Sequence, residues 1–250
     1  MHSWTSKKFL RPSDHHSRFH FLMKTLIPTA ILAVLSTTLV PSHQAHAATP
    51  TASIKEVISD CEDLEGDQIT WKGGNNESLC VAEAGIGFNK SKGLRIKCAR
   101  AGNLGIKPEA MIGTQPLDVN SADGYMFWVK AIDGGAFSLE FKSEGSEGQR
   151  FSLGEGVLAM DTEGNILDPK EYLAIPKNKA LPAWIKLPTD FEGWIIIPST
   201  VSSEGLNTGW KCPDPNTSGQ PVPPIRGLLL VTGDTGEFHM DHFGLYQAKH

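Results

Sequence analysis

Short stretches in which apolar and polar residues alternate recur along most of the chain. In 136–142 the apolar side chains of Phe137, Leu139 and Phe141 alternate with polar ones. A period of two residues places the two sets on opposite faces of a β-strand. Further strand candidates, separated by segments rich in Gly, Pro, Asn or Asp, lie at 77–84, 93–100, 122–131, 150–153, 157–160, 172–175, 183–187, 193–197, 228–231 and 238–243. After Ser59 no segment keeps a helical period. The pattern therefore predicts an all-β fold, an antiparallel β-sandwich of roughly eight to ten strands and of jelly-roll type.

Tight reversals divide these strand candidates at 89–93, 132–135 and 232–236, where Gly, Asp or Asn residues cluster. Such residues at a short reversal favour a hairpin between consecutive strands. The sequence therefore predicts three hairpins.

The last strand candidate carries an acid in apolar surroundings. Alternation places Asp241 and His239 on one face of this strand and His242 on the other, which argues against a metal or catalytic cluster of the three. A buried carboxylate needs a partner, because burying it alone is costly. We expect that partner in the acidic segment 60–66.

The first 47 residues follow the order of a secretory signal: Lys24, an apolar run at 26–40, and Ala45-His46-Ala47. We expect Met23 to be the true start and cleavage to follow Ala47. The protein is then secreted or periplasmic, with no membrane attachment after cleavage. An uncleaved anchor is the alternative, although the run is shorter than the ~20 residues of a spanning helix. The prediction divides the chain into 1–47, a short leader at 48–59 with a turn of helix at 54–59, and one domain at 60–250.

The residues that follow Ala47 are acidic, with 18 Lys and Arg against 27 Asp and Glu, a net charge of −9. Nucleic acids are bound by basic surfaces, so this charge argues against a nucleic-acid partner. It also favours a neutral polysaccharide over an anionic one.

All four cysteines, Cys61, Cys80, Cys98 and Cys212, follow the signal, and disulfides persist in exported proteins. Three pairings are open to them. Cys80 and Cys98 lie at equal distances along the chain from Asn89, as facing residues of a hairpin would. This spacing favours a Cys80–Cys98 disulfide and leaves Cys61 with Cys212.

Three motifs in order carry a resemblance. Asp63-Leu64-Glu65-Gly66 with Trp71 comes first, 191–198 (FEGWIIIP) follows, and 238–243 (FHMDHF) closes the series; 157–164 strengthens the match. Together they resemble the galactose-binding-like jelly-roll domains found among bacterial carbohydrate-binding modules, over most of 60–247.

The resemblance implies a structural calcium and a sugar site on a sheet face or loop edge. Glu65 and Asp241 match the calcium motif, with Asp60 or Glu62 as helpers, and Ca²⁺ takes several oxygen ligands of this kind. The alternative is that Asp241 caps a turn or pairs with an arginine.

The expected ligand site combines aromatic and polar side chains, because sugar rings stack on aromatic rings and their hydroxyls take hydrogen bonds. The aromatic candidates are Trp128, Trp71, Trp184, Trp210 and Tyr125. The set favoured for the site is Trp128, Trp210 and Tyr125 with Lys130 and Glu140. Trp128 and Lys130 share one face of their strand, and Tyr125 lies on the other. We expect Glu140, on the outward face of the strand at 136–142, to lie beside Trp128 and Lys130. Trp210 lies in a long loop and is the better exposed candidate. A Trp in a sandwich strand is nevertheless more often core than platform.

No catalytic motif of the G-x-S-x-G or H-E-x-x-H kind occurs. Glu140 with Glu155 or Asp161 could supply the carboxylate pair of a glycosidase, but no spacing singles them out. The sequence therefore predicts a non-catalytic module that binds a polysaccharide or cell-surface glycan. The alternatives are an exported structural or adhesive module that contacts another protein, and a jelly-roll hydrolase or lyase.

Overall fold

The computed structural model describes residues 52–73, 77–143, 149–177, 181–202, 208–212, 214, 216 and 218–248. The predicted secretory signal, with Met23 and Ala47, lies outside the described residues. Within the described ranges, no helix has both the length and the apolar character needed to cross a membrane.

The described residues form sixteen strands and two one-turn helices. The strands of the first half are β1 (Ala52–Ser59), β2 (Ile69–Lys72), β3 (Leu79–Glu83), β4 (Gly93–Cys98), β5 (Gly102–Ile106), β6 (Gly124–Asp133), β7 (Phe137–Ser143) and β8 (Arg150–Leu153). Those of the second half are β9 (Leu158–Asp161), β10 (Leu173–Ala174), β11 (Trp184–Ile185), β12 (Glu192–Pro198), β13 (Val201–Ser202), β14 (Trp210–Lys211), β15 (Ile225–Thr232) and β16 (Gly236–Ala248). The helices are α1 (Pro108–Met111) and α2 (Pro169–Tyr172). Each begins with a proline, which is tolerated there because a backbone N–H in the first turn has no partner within the helix.

Two sheets form the sandwich. Sheet A has the strand order β3-β4-β16-β6-β12-β9, and β1 also pairs with β16. Sheet B has the order β13-β14-β8-β7-β15-β5-β2, with β10 and β11 attached to β7. All pairings are antiparallel except that of β13 with β14. The predicted fold class, an all-β antiparallel sandwich of jelly-roll type, is confirmed.

Aromatic side chains from both sheets build the core between them. Phe137 of β7 stacks on Phe238 of β16 with ring centroids 4.7 Å apart, and Phe141 meets Tyr125 of β6 at 6.0 Å. All four side chains are at most 2 % exposed. Burying such rings contributes about 1.5–3 kcal/mol each, so the inward faces of β6, β7 and β16 hold the two sheets together.

Only the first of the three predicted hairpins is confirmed. β3 pairs with β4, but β6 and β7 belong to different sheets, and so do β15 and β16. The turns at 132–135 and 232–236 therefore carry the chain from one sheet to the other. The two crossings touch, since a Cβ on Gly236 would lie 2.3 Å from the carbonyl oxygen of Gly134. Glycine is required there because the two backbones pack in contact.

The segment expected to be a leader with a turn of helix is a strand instead. β1 pairs along β16, from Ala52 opposite Ala248 to Ser59 opposite Phe243. The segment 54–59 therefore takes backbone hydrogen bonds from the sheet, which a helical turn would have prevented.

The four cysteines are free thiols and lie buried, so the predicted disulfides are wrong. The register sets Cys80 opposite Ile96, which places Cys98 on the diagonal position. Diagonal neighbours lie about 7–8 Å apart, whereas a disulfide needs Cβ atoms about 3.5–4.5 Å apart. Cys61 follows β1 of sheet A and Cys212 follows β14 of sheet B, and no bond joins them.

Candidate functional site

The two sheets carry the predicted ligand residues to opposite faces of the sandwich. Trp128 and Lys130 lie on β6 of sheet A and face away from the core, while Glu140 lies on the outer face of sheet B. The expectation that Glu140 lies beside Trp128 is wrong, because 132–135 crosses between the sheets. The predicted set does not form one site.

Two of the predicted aromatic residues are core residues. Trp210 is 0 % exposed and packs edge-on against Phe141, with ring centroids 4.8 Å apart, so the expectation that it is exposed is wrong. Tyr125 is also 0 % exposed, and its hydroxyl donates to the carbonyl of Met111. Neither ring offers a face to a ligand in this structure.

A groove of about 410 Å³ lies on the outer face of sheet B. We name it the Trp71 groove, after an indole that is 53 % exposed at the edge strand β2. Its polar or backbone lining comes from five adjacent strands: Thr70 and Trp71, Gly105, Gly227, Glu140 and Lys142, and Arg150. An exposed indole beside an open groove leaves an aromatic face free for a flat apolar surface of a ligand.

The register of sheet B sets the elements of the Trp71 groove in a row. Trp71 faces Gly105 of β5, Gly105 faces Leu229 of β15, and Leu229 faces Glu140 of β7. Glycine at 105 is required by the packing, since a Cβ there would lie 2.7 Å from Thr70 Oγ1. The indole of Trp71 and the carboxylate of Glu140 therefore lie on either side of a floor formed at Gly105 and Leu229.

Charged side chains line the other end of the Trp71 groove. Lys142 of β7 faces Arg150 of β8 across the strand pair. The Arg150 guanidinium lies 3.7 Å from Oε2 of Glu140, a loose contact between side chains that are 70 % and 26 % exposed. An exposed pair of this kind contributes little to stability, about 0–1 kcal/mol, so its groups are free to exchange partners with a ligand.

The described part of the groove offers binding groups rather than a catalytic pair. Glu140 is the only carboxylate among the described residues that line it. Asp161, one of the two partners considered for it, lies on β9 of sheet A. Glu155, the other partner, lines a different hollow, so neither partner joins Glu140 in the groove as the carboxylate pair of a glycosidase would.

Asp241 lies under the turn 85–92 on the outer side of sheet A and is fully buried. Its Oδ2 accepts hydrogen bonds from Phe88 N at 2.9 Å and Ser91 Oγ at 2.5 Å, and its Oδ1 accepts from His242 N at 2.6 Å. The carboxylate therefore fastens the turn to the sheet. Most of its partners come from this turn, and within the expected segment 60–66 the Cys61 thiol interacts with Asp241 by a hydrogen bond.

A β-bulge brings His242 to Asp241, so the expectation that they point apart is wrong. The register shifts between Asp241 and Gly244, and His242 has φ +48°. The extra residue turns the imidazole back, so that its Nδ1 lies 3.0 Å from Asp241 Oδ2, while Phe243 enters the core. Strict alternation cannot predict such a bulge.

The residues matched to the calcium motif differ in their surroundings. Phe88, Ser91 and His242 contact the carboxylate of buried Asp241, while Asp60 and Glu65 are exposed side chains. Among the residues that the structure describes, no group of three or more His, Cys, Asp or Glu could hold a metal. Calcium binding stays a prediction that this geometry does not test.

Trp71, one of the aromatic candidates that the sequence offers, lines one end of the Trp71 groove. Trp71 occupies a four-residue strand whose burial pattern is mostly exposed. Two neighbouring features of the sequence point to it: Trp71 is flanked by Thr70 and Lys72, and Gly73 follows at once. A Trp between polar residues and next to a glycine is a candidate for an exposed edge.

The class of molecule that these features define is a β-sandwich domain with an open groove beside an exposed aromatic side chain. No protein-family model matches the chain, and no curated protein matches it. Among solved structures, it is similar to an exo-β-agarase at 13 % identity and a TM-score of 0.40, over 79 % of this chain and 25 % of that one. It is also similar to a family 30 carbohydrate-binding module at 13 % identity and a TM-score of 0.39, over 74 % of this chain and 96 % of that one. The chain spans about a quarter of the agarase. Neither similarity assigns a ligand to this protein.

Proposed function

We propose that this protein is an exported, non-catalytic module that binds a polysaccharide in the Trp71 groove. The observation that carries the proposal is the 53 % exposed indole of Trp71 beside a floor formed at Gly105. Sugar rings present C–H faces that pack on an aromatic ring. A glycine, which has no side chain, lets the sugar ring approach the backbone of the sheet closely.

Polar groups around this floor supply the rest of the recognition. The contact between Glu140 and Arg150 is a loose one of 3.7 Å, so Glu140 can accept hydrogen bonds from sugar hydroxyls and Arg150 can donate to their oxygens. The groove is open and lies across five strands, which suits a chain of sugar residues rather than an enclosed small molecule.

The test is affinity gel electrophoresis of the protein through a panel of soluble polysaccharides. We expect at least one of them to retard the protein. Trp71→Ala should weaken that interaction by about 2 kcal/mol, roughly 30-fold in Kd, since a central aromatic anchor supplies a large share of binding energy. Ile175→Ala is the matched control, because Ile175 is a 51 % exposed apolar side chain outside the Trp71 groove.

Equal retardation of wild type and Trp71→Ala by every polysaccharide that binds would place the site elsewhere. Failure of the folded wild type to bind any member of the panel would overturn the proposal. Glu140→Gln, which keeps the side-chain size, separates the contribution of the carboxylate from that of the ring.

The second candidate is contact with another protein through a different surface. Ile175 and Leu181 are 51 % and 50 % exposed and line the same hollow, and clustered exposed apolar side chains mark interaction surfaces. A protein partner that is lost with Ile175→Asp but kept with Trp71→Ala would support this candidate.

A further inference from the structure

The outer face of sheet A holds a second concave site, of about 430 Å³, which we name the Trp128 cleft. Pockets for small molecules measure about 300–1,000 Å³, so the cleft has room for one. Its polar lining side chains are Asn89, Lys90, Trp128, Lys130, Glu192 and His239. None of them belongs to the Trp71 groove, which lies on the other sheet.

Three of these side chains form a row set by the strand register. His239 of β16 faces Lys130 of β6, and Lys130 faces Glu192 of β12. The Lys130 ammonium lies 2.8 Å from Oε2 of Glu192, and both side chains are about 40 % exposed. The row therefore presents a donor and an acceptor side by side, with their charges paired.

His239 adds a neutral group to this row. Burial is the main cause that lowers the pKa of its imidazole, and Arg95 acts in the same direction, while Glu237 opposes both. The ring is therefore neutral at pH 7, with one nitrogen that donates and one that accepts.

Trp128 contributes a buried N–H that lacks a partner. Its side chain is 1 % exposed, and no described group accepts a hydrogen bond from Nε1. Leaving such a donor buried and unpaired costs about 1–3 kcal/mol, and buried Trp N–H groups usually find an acceptor. Because Trp128 lines the cleft, its indole N–H signal can report on what occupies the cleft.

The rim of the Trp128 cleft is held in a constrained conformation. Asn89 and Lys90 have φ of +53° and +66°, in the left-handed region that side chains other than glycine rarely adopt. Asp241 fastens this turn through Phe88 N and Ser91 Oγ. Strained backbone held in place by its surroundings is typical of ligand sites, where it fixes the binding groups in advance.

We propose that the Trp128 cleft is a second binding site, for a single neutral sugar residue. Hydroxyl groups both donate and accept, and so match the mixed donors and acceptors of Lys130, Glu192 and His239. The inference does not depend on the proposed function, because it concerns a different face and different residues.

Nuclear magnetic resonance of the full chain tests this site through the indole N–H signals, of which the sequence supplies one for each of its six Trp residues. We titrate glucose, galactose, mannose and xylose, with sulfate and acetate as anionic probes. At least one sugar should shift the Trp128 signal, which is assigned with Trp128→Phe. Trp210 is the internal control, because its Nε1 is equally buried and unpaired but lines none of the clefts described above.

Glu192→Gln should weaken the sugar-dependent shift about tenfold in apparent affinity, since it removes a charged acceptor. Trp71→Ala should leave the shift unchanged while polysaccharide binding weakens, so the two proposals can fail separately. A Trp128 signal that no sugar moves would overturn the inference. So would one that moves only with sulfate or acetate, or one that moves together with the Trp210 signal.

Discussion

Replacing Asp241 should destabilise the domain strongly, because its carboxylate joins the turn 85–92 to sheet A from a fully buried position. In Asp241→Ala the backbone N–H groups of Phe88 and His242 lose their acceptor. The Ser91 hydroxyl keeps one, since it also lies 2.6 Å from the carbonyl of Phe88.

The magnitude follows from these two backbone donors. A buried donor left without a partner costs about 1–3 kcal/mol, so two of them cost roughly 4 kcal/mol. Asp241→Asn keeps one acceptor oxygen and the shape of the side chain, and should cost about half as much. Either loss is a large part of the roughly 5–15 kcal/mol by which domains are stable.

Urea unfolding measures the effect as the change in midpoint at constant slope. Asp63→Asn is the matched control, because Asp63 is exposed and should change the free energy of unfolding by less than about 0.5 kcal/mol. A loss below about 1 kcal/mol in Asp241→Ala would refute the account of this carboxylate as the anchor of the turn. Hydrogen exchange should show the largest loss of protection at Phe88 in Asp241→Asn.

Three further outcomes are expected. In denaturant without reductant, four thiols per chain should react with a thiol reagent, and a count below four would show that a disulfide is present. The native protein should react slowly, because burial raises the pKa of the Cys61 and Cys80 thiols and raises that of Cys98 to about 12. The free energy of unfolding should fall as pH drops through about 6.5, because His239 takes up a proton in the unfolded chain but, with its lowered pKa, not in the folded one. His239→Gln should flatten this dependence of stability on pH. An unchanged dependence would contradict the assignment of the effect to His239. With Phe88 and His242 hydrogen-bonded to Asp241, the melting temperature should be the same in millimolar calcium as in EDTA, and a clear rise in calcium would support the calcium prediction.

The faces of individual strands can be predicted from the sequence because alternation is a local property. In β7 the apolar set of Phe137, Leu139 and Phe141 is buried, while Glu140 and Lys142 reach the surface. The same pattern repeated along the chain predicts a sandwich. It fails where one extra residue enters a strand, as at His242, because a bulge leaves no mark in the hydrophobic pattern.

The partner of each strand cannot be predicted in this way. The turn at 89–93 closes a hairpin, whereas the turns at 132–135 and 232–236 cross between sheets, although all are short and rich in Gly, Asp or Asn. What separates them is pairing with distant strands, such as that of β15 with β5. This difference moved Glu140 away from Trp128 and divided the predicted site between two faces.

The exposure of aromatic residues is equally beyond local reasoning. Trp210 follows a loop yet is enclosed by the core, while Trp71 lies in a strand yet is half exposed because β2 is at the edge of its sheet. The edge position depends on which strands sheet B recruits from the rest of the chain. Only the assembled sheet shows which indole can meet a ligand.

The position of β16 in sheet A has a consequence for how the domain folds. β16 is the last strand in chain order, yet it pairs with β1, β4 and β6. Without it, the remaining described strands of sheet A form three separate fragments: β1 alone, β3 with β4, and β6 with β12 and β9. Contacts between such distant segments slow folding, and each fragment would present unpaired strand edges to other chains until β16 arrives. Sheet A therefore closes in one late step, and a chain cut before Gly236 should aggregate rather than fold in part.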